Sequence, residues 1–264
     1  MSESNDVVKQ KIKKALEKIT GDTSKEELVK VKEEFKDAIK DADPSVIAEA
    51  EGELVKEGRD IKDLIKACDA HMELFKDAIK NPKLKVPKDH PIYMFRQDHK
   101  NILEIMERLS ETAEKTAAME NFKDAETILE SAKRDVQLLL DAENHNVRQE
   151  NTLFPVLEKH GIEQPPAIMW YEHNEMKEMK KNLLKLFEKR NEMSYADFAV
   201  RFKNFSIALF EKFAAHTQKE EHILYVTALK NITDEEWKDI KEECDNLGYF
   251  KPDEKEENDE PERI

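Results

Sequence analysis

Apolar residues recur at helical spacing along most of the chain, and breakers divide the pattern into elements. Val8, Ile12, Ala15, Leu16 and Ile19 form the first stripe, with Gly21 placed to stop it. Thr23 and Glu26 have capping-box spacing and open a second helix that runs to Lys40. Asp43-Pro44 starts a third, closed by Gly58, and Asp60 starts a fourth that ends at Asn81-Pro82. NPKLKVPKDHP has three prolines and no periodicity, and reads as a linker. Longer patterns follow, from His90-Pro91 to Ala118, Asn121 to Lys159, Gln164 to Arg190 and Ser194 to Lys230. Pro155 falls inside the second of these and predicts a kink or break there. Thr233 with Glu236 caps a short last helix carrying Trp237, Ile240 and Leu247.

Four long helices with short connections predict an up-down-up-down four-helix bundle. The expected fold is therefore all-α. A helical domain of four short helices spans 1–81, a linker 82–89, the bundle 90–232, a short helix 233–250 and a disordered acidic tail 251–264.

Composition narrows the function classes. Gly is scarce, at 5 of 264 residues, which leaves little room for a turn-rich β architecture. Long apolar runs are absent, so no membrane partner is expected. MSESNDVVKQKIKK lacks an apolar signal core, which points to a cytoplasmic protein. A net charge of −15 argues against general nucleic-acid binding, because phosphate contacts need clustered Lys and Arg. Cys68 and Cys244 lie far apart, outside any CxxC pattern, and read as free thiols.

The candidate chemistry lies in a stretch that occurs twice, HNVRQENTLFP from His145 and HTQKEEHILYV from His216. Each His is followed five residues later by a Glu, Glu150 or Glu221, and then by Leu and an aromatic residue. A looser duplication surrounds His99 (MFRQDHKNILEIM) and His173 (MWYEHNEMKEMKK). Each long helix thus offers one His, and a pseudo-twofold bundle would bring all four to one level. Glu220 lies four residues after His216, about 40° round the helix and one turn along, so both can ligate one centre. Imidazole with carboxylate suits iron or manganese, with zinc as a further choice. Two other chemistries are excluded. Ferritin-like bundles place Glu three before His, where this chain has Ala142, Trp170 and Phe213, and no HExxH helix occurs.

A lone helical His is more often a surface or core residue than a ligand. His160 reads as a helix C-terminal residue, His222 as exposed and His90 as a helix N-terminal residue. Cys68, Asp69 and His71 read as a packing cluster. Leu153, Phe154, Leu224 and Tyr225 read as core.

HNVRQENTLFPVLEKHG and HTQKEEHILYVTAL, with Asp98-His99 and Glu172-His173, give residues 88–230 a clear likeness. This region resembles a hemerythrin-like, or HHE cation-binding, domain. The segment EGELVKEGRDIKDLIKACDAHMELF resembles a helical domain of unknown function that often precedes it in prokaryotes. The resemblance implies a non-haem diiron site, with His99, His145, His173, His216 and Glu220 matching family ligands. Three positions depart from the family pattern. Gln149 stands where a carboxylate usually follows the second-helix His, Met169 where a second third-helix His usually stands, and Val226 opposite Pro155 of the first copy. Glu150 would then complete the metal set. It lies about 140° round an ideal helix from His145 and needs a local distortion, which Pro155 is near enough to supply.

The expectation is a protein binding two iron ions, more a binding or sensor protein than a catalyst. It would respond to dioxygen, nitric oxide, iron or redox state, with Phe95, Phe154, Trp170 and Phe213 limiting solvent access. The N-terminal helical domain would dock a protein partner. Three alternatives stay open: a diiron enzyme reducing peroxide or nitric oxide, a metal-free helical interaction scaffold, and a haem site between His71 and another His.

Overall fold

The computed structural model describes residues 5–19, 23–39, 44–58 and 84–252. Three N-terminal helices, α1 (Asn5–Glu17), α2 (Lys25–Ile39) and α3 (Pro44–Lys56), pack with α1 against both others. Ile12, Ala15, Leu16, Ile19, Val31, Val46, Ala50 and Leu54 are buried there. The α2 cap is one residue later than its spacing suggested. Ser24 and Glu27 exchange the reciprocal bonds, Ser24 N–H to Glu27 Oε2 at 2.8 Å and Glu27 N–H to Ser24 Oγ at 3.3 Å. Gly21, the fourth N-terminal helix with Cys68, Asp69 and His71, and the tail 253–264 lie outside the described residues.

The bundle is made of α4 (Pro91–Ala117), α5 (Phe122–Asp141), α8 (Gln164–Glu188) and α9 (Tyr195–Lys219). Each packs against its chain neighbour, and α4 closes the ring against α9. α8 opens on Pro165 and Pro166 without a side-chain cap, and the other three starts are fixed by side chains that satisfy otherwise unpaired N–H groups. His90 accepts from Ile92 N–H, Asn121 from Asp124 N–H and Ser194 from Asp197 N–H.

The second and fourth arms do not continue as plain α-helix. After Asp141 the chain steps into α6 (Glu143–Arg148), a π-helical turn π1 (Gln149–Leu153) and α7 (Phe154–Lys159). After Lys219 it steps into a second π-turn, π2 (Glu220–Leu224), and α10 (Tyr225–Asn231). In each turn a backbone N–H reaches five residues back, Phe154 to Gln149 and Tyr225 to Glu220. The expected irregularity near Pro155 therefore begins six residues earlier, at Gln149. The proline does not cause it, because the same turn forms where Val226 replaces Pro155.

Helix α11 (Asp234–Leu247) opens with a full Thr233–Glu236 capping box and lies across α4, α6 and π1. Two apolar clusters fill the bundle. One holds Leu109, Leu129, Val136, Phe198 and Phe202, and the other holds Phe95, Leu153, Leu157, Ile168 and Trp237. Each fully buried side chain of this kind stabilises by about 1.5–3 kcal/mol. Between the clusters lies a polar layer, carried by π1, π2 and the facing stretches of α4, α8 and α9. α3 rests on α8, π2 and α10 at one edge of that layer.

Candidate metal centre

The four histidines of the duplicated stretches are all buried: His99 at 2 %, His145 at 0 %, His173 at 2 % and His216 at 1 % exposure. Burying four imidazoles without partners would be costly. The outer nitrogen of each is met by a carboxylate. His145 Nδ1 is 3.1 Å from Asp98, His216 Nδ1 2.9 Å from Glu172, His173 Nδ1 2.7 Å from Glu150, and His99 Nδ1 3.3 Å from Glu221. Each Nδ1–H donates outward, which fixes the tautomer and leaves Nε2 facing inward with its lone pair.

These contacts obey a pseudo-twofold. Asp98 and Glu172 each precede a His on α4 and α8, and each holds the His of the adjoining arm. Glu150 and Glu221 follow from the π-turns and hold the His of α8 and α4. The π-turn makes this reach available, because it lets consecutive residues serve different helices. Gln149 faces its own His145, at 2.9 Å between side-chain Nε2 atoms, while Glu150 faces His173.

Inside the ring stands Glu220, fully buried. Its Oε2 is 2.5 Å from His99 Nε2 and 3.7 Å from His145 Nε2. Its Oε1 is 3.2 Å from His216 Nε2 and 3.7 Å from His173 Nε2. Two donor groups result, His99–His145–Glu220 and His173–His216–Glu220, each with its atoms within 4.8 Å of one another and sharing Glu220. Glu150 stands outside both groups. In place of a ligand position, its carboxylate lies on the outer nitrogen of His173.

Charge accounts for what the layer lacks. Arg148 pairs with Asp98, and Lys219 pairs with Glu172 at 2.5 Å; both cations are buried at 1 % exposure or less. Those pairs cancel. Glu220 is left as a buried carboxylate that pairs with the imidazoles, and its Oε1 has no hydrogen-bond partner. A second orphan is Gln149 Oε1. His173 and His216 bring Nε2 to Nε2 at 3.1 Å, a contact that two lone pairs cannot share without a cation. The residues present therefore fit divalent or trivalent ions of mixed nitrogen and oxygen preference.

In the metal-free chain, protons take the cationic role. Burial alone would lower His99, but Glu220 and Glu221 push it up to about 9. His173 is likewise raised, against burial, by Glu150 and Glu220. Burial alone would raise Glu220, yet His216 and His99 hold it well below its ordinary range. Asp98 and Glu172 are also held low, by His145 with Arg148 and by His216 with Lys219. Burial first, and then the Glu220 carboxylate, push the Tyr225 phenol well above its ordinary value.

The rest of the surroundings differs in places from the sequence reading. Phe95, Phe154 and Phe213 are buried around the imidazoles, whereas Trp170 is 55 % exposed on the outer face of α8. Phe154 stacks on His173 with ring centroids at 5.9 Å. His222, expected on the surface, is 6 % exposed with Nδ1 against the Gln218 carbonyl, because π2 turns it inward. His90 caps α4 and packs on Trp237, and His160 ends α7 with Nε2 2.9 Å from Glu236. Tyr225, read as core, places its hydroxyl 3.0 Å from Glu220 Oε2.

Arg148 and Lys219 were not anticipated, although a basic residue stands three positions after the His in both copies. The acidic residues before His99 and His173 were likewise a readable signal. Arg148 also lies between the rings of Phe95 and Tyr249, at 5.4 and 4.6 Å, so the C-terminal segment braces His145 through Asp98.

Fold and donor layer together define a cation-binding helical bundle. Residues 90–228 match the hemerythrin HHE cation-binding domain, and residues 12–81 match a family of unknown function, DUF438. The chain belongs to the hemerythrin HHE cation-binding family. No curated protein matches it. None of the described helices is long and apolar enough to cross a membrane.

Proposed function

We propose that this bundle holds two metal ions, iron foremost with manganese or zinc as alternatives, and that it binds or senses dioxygen, nitric oxide or redox state. The observation that carries the reading is Glu220, whose two carboxylate oxygens each face a separate histidine pair. His99 and His145 would hold one ion, His173 and His216 the other, with Glu220 shared. Iron in such a set supplies a reversible change of oxidation state and coordination positions for a diatomic ligand. Asp98, Glu172, Glu150 and Glu221 hold the imidazoles in the tautomer that presents Nε2 inward. Phe95, Phe154 and Phe213 keep bulk water from the layer and so set its effective dielectric. The N-terminal helices would pass a change at Glu220 to a protein partner, a reading supported by the packing of α3 on π2.

The test is elemental analysis after anaerobic iron loading, followed by the optical spectrum on adding air or nitric oxide. Two irons per chain and a reversible spectral response are expected. Glu220→Ala should lose most of the metal, and His160→Ala should keep it. One metal per chain would sink the dinuclear reading, and no uptake would return the metal-free scaffold. Sustained consumption of peroxide or nitric oxide with a reductant would make the protein an enzyme.

A further inference from the structure

One of the differences between the two halves of the donor layer amounts to a single atom. Phe154 and Tyr225 hold equivalent places, one residue after each π-turn. Phe154 stacks on His173 at 5.9 Å with an interplanar angle of 18°, and Tyr225 stacks on His99 at 5.9 Å and 17°. The rings do the same packing, so the Tyr225 hydroxyl is an addition confined to one half. It points inward, 3.0 Å from Glu220 Oε2, 3.3 Å from His99 Nε2 and 2.8 Å from Gln149 Nε2.

Those separations are informative. Donor atoms about 2.0–2.2 Å from one ion lie about 3–3.4 Å from each other. The phenol oxygen stands at that spacing from two atoms of the His99–His145–Glu220 group. Gln149 adds a fifth donor, since turning its carboxamide over would bring the partnerless Oε1 toward His145 and Tyr225. The His173–His216 half has Phe154 in that place, and its donor group among the described residues is His173, His216 and the shared Glu220.

We infer that Tyr225 is a ligand of the ion held by His99 and His145, so that the two metal positions are unequal and open coordination falls on the His173–His216 side. This rests on the dinuclear reading above. Ligation exchanges the phenol O–H bond for an oxygen–metal bond, and the proton leaves to solvent.

The full chain, loaded with iron and oxidised to the ferric state, tests it. A phenolate ligand gives a broad visible charge-transfer band, and excitation into it enhances tyrosine ring vibrations. The expected result is two irons per chain with such a band, ring modes that shift on incorporation of ring-deuterated tyrosine, and complete loss of the band in Tyr225→Phe. Two irons without the band, or a band that survives in Tyr225→Phe, overturns the inference and leaves the dinuclear reading standing. No iron uptake overturns both. If Tyr225→Phe does not fold, the isotope shift in the unsubstituted protein decides.

Discussion

Gln149 and Glu220 occupy the same place in the two arms, each four residues after an inward-facing His and each at the start of a π-turn, but only Glu220 carries charge. Glu220 spans both histidine pairs, while Gln149 reaches His145 and Tyr225. In Gln149→Glu a second carboxylate would be buried beside Glu220, and the two would repel. The metal-free variant should melt below the unsubstituted protein and gain a larger thermal shift on iron loading. Scanning calorimetry with and without iron checks this; a shift no larger than that of the unsubstituted protein would mean residue 149 does not face the metals.

Arg148 and Asp98 form a pair that depends on both members, since each is buried. Arg148→Met should destabilise by about 3–5 kcal/mol, because Asp98 then stays buried without its cation. Adding Asp98→Asn should recover part of that loss. Urea unfolding of the two single variants and the double gives the coupling directly. Strict additivity would show that the pair contributes nothing.

The metal-free protein should lose stability between neutral and alkaline pH. His99 is raised from 6.5 to about 9 by Glu220 and Glu221. A raised histidine contributes stability that is complete below 6.5 and disappears as pH rises through 9. Melting temperatures of the metal-free chain should therefore fall across that window. The metal-loaded chain, in which metal replaces the proton, should show a flatter profile. Loading at neutral pH should also release protons, and acid should weaken metal binding because protons compete for the same Nε2 atoms. Equal pH profiles for the two forms would count against ligation by His99.

Leu129 is fully buried in the apolar cluster beyond the donor layer. Leu129→Ala should cost about 2–5 kcal/mol through the cavity it leaves. Metal content per folded chain should stay unchanged, which separates loss of fold from loss of site. A proportional fall in metal content would tie the two apolar clusters together more tightly than their placement suggests.

Helix periodicity, capping residues and the order of the four histidines were enough to read the bundle and the inward faces of His99, His145, His173 and His216. The N-terminal unit was readable as helical for the same reason, although its second cap lies at Ser24 and not Thr23. A break was expected in the second arm at Pro155, but its form, its start at Gln149 and its counterpart after Lys219 stayed hidden. A wheel drawn at 100° per residue puts Glu150 and His222 on the wrong faces, because it carries no sign of a turn that closes over five residues. Arg148 and Lys219 were missed for another reason. Patterning treats charged residues as solvent-facing, and only pairing with Asp98 and Glu172 makes their burial tolerable. Trp170 shows the converse: its size suggested the interior, but its position on α8 faces outward.

Each π-turn is also a statement about chain length. It carries one residue more than the α-helical turn it interrupts, so deleting any one residue from Gln149–Leu153 or Glu220–Leu224 would let the arm heal into continuous α-helix. The extra residue is taken up as a wider turn, so the segment downstream would stay nearly in phase, and what would be lost is the reach of consecutive side chains to different helices. Length changes can be absorbed at the connections after Ala117, Lys159 and Glu188, where no buried face has to stay in phase. Within the two arms, the count of residues between each histidine and its aromatic partner is as constrained as the residues themselves.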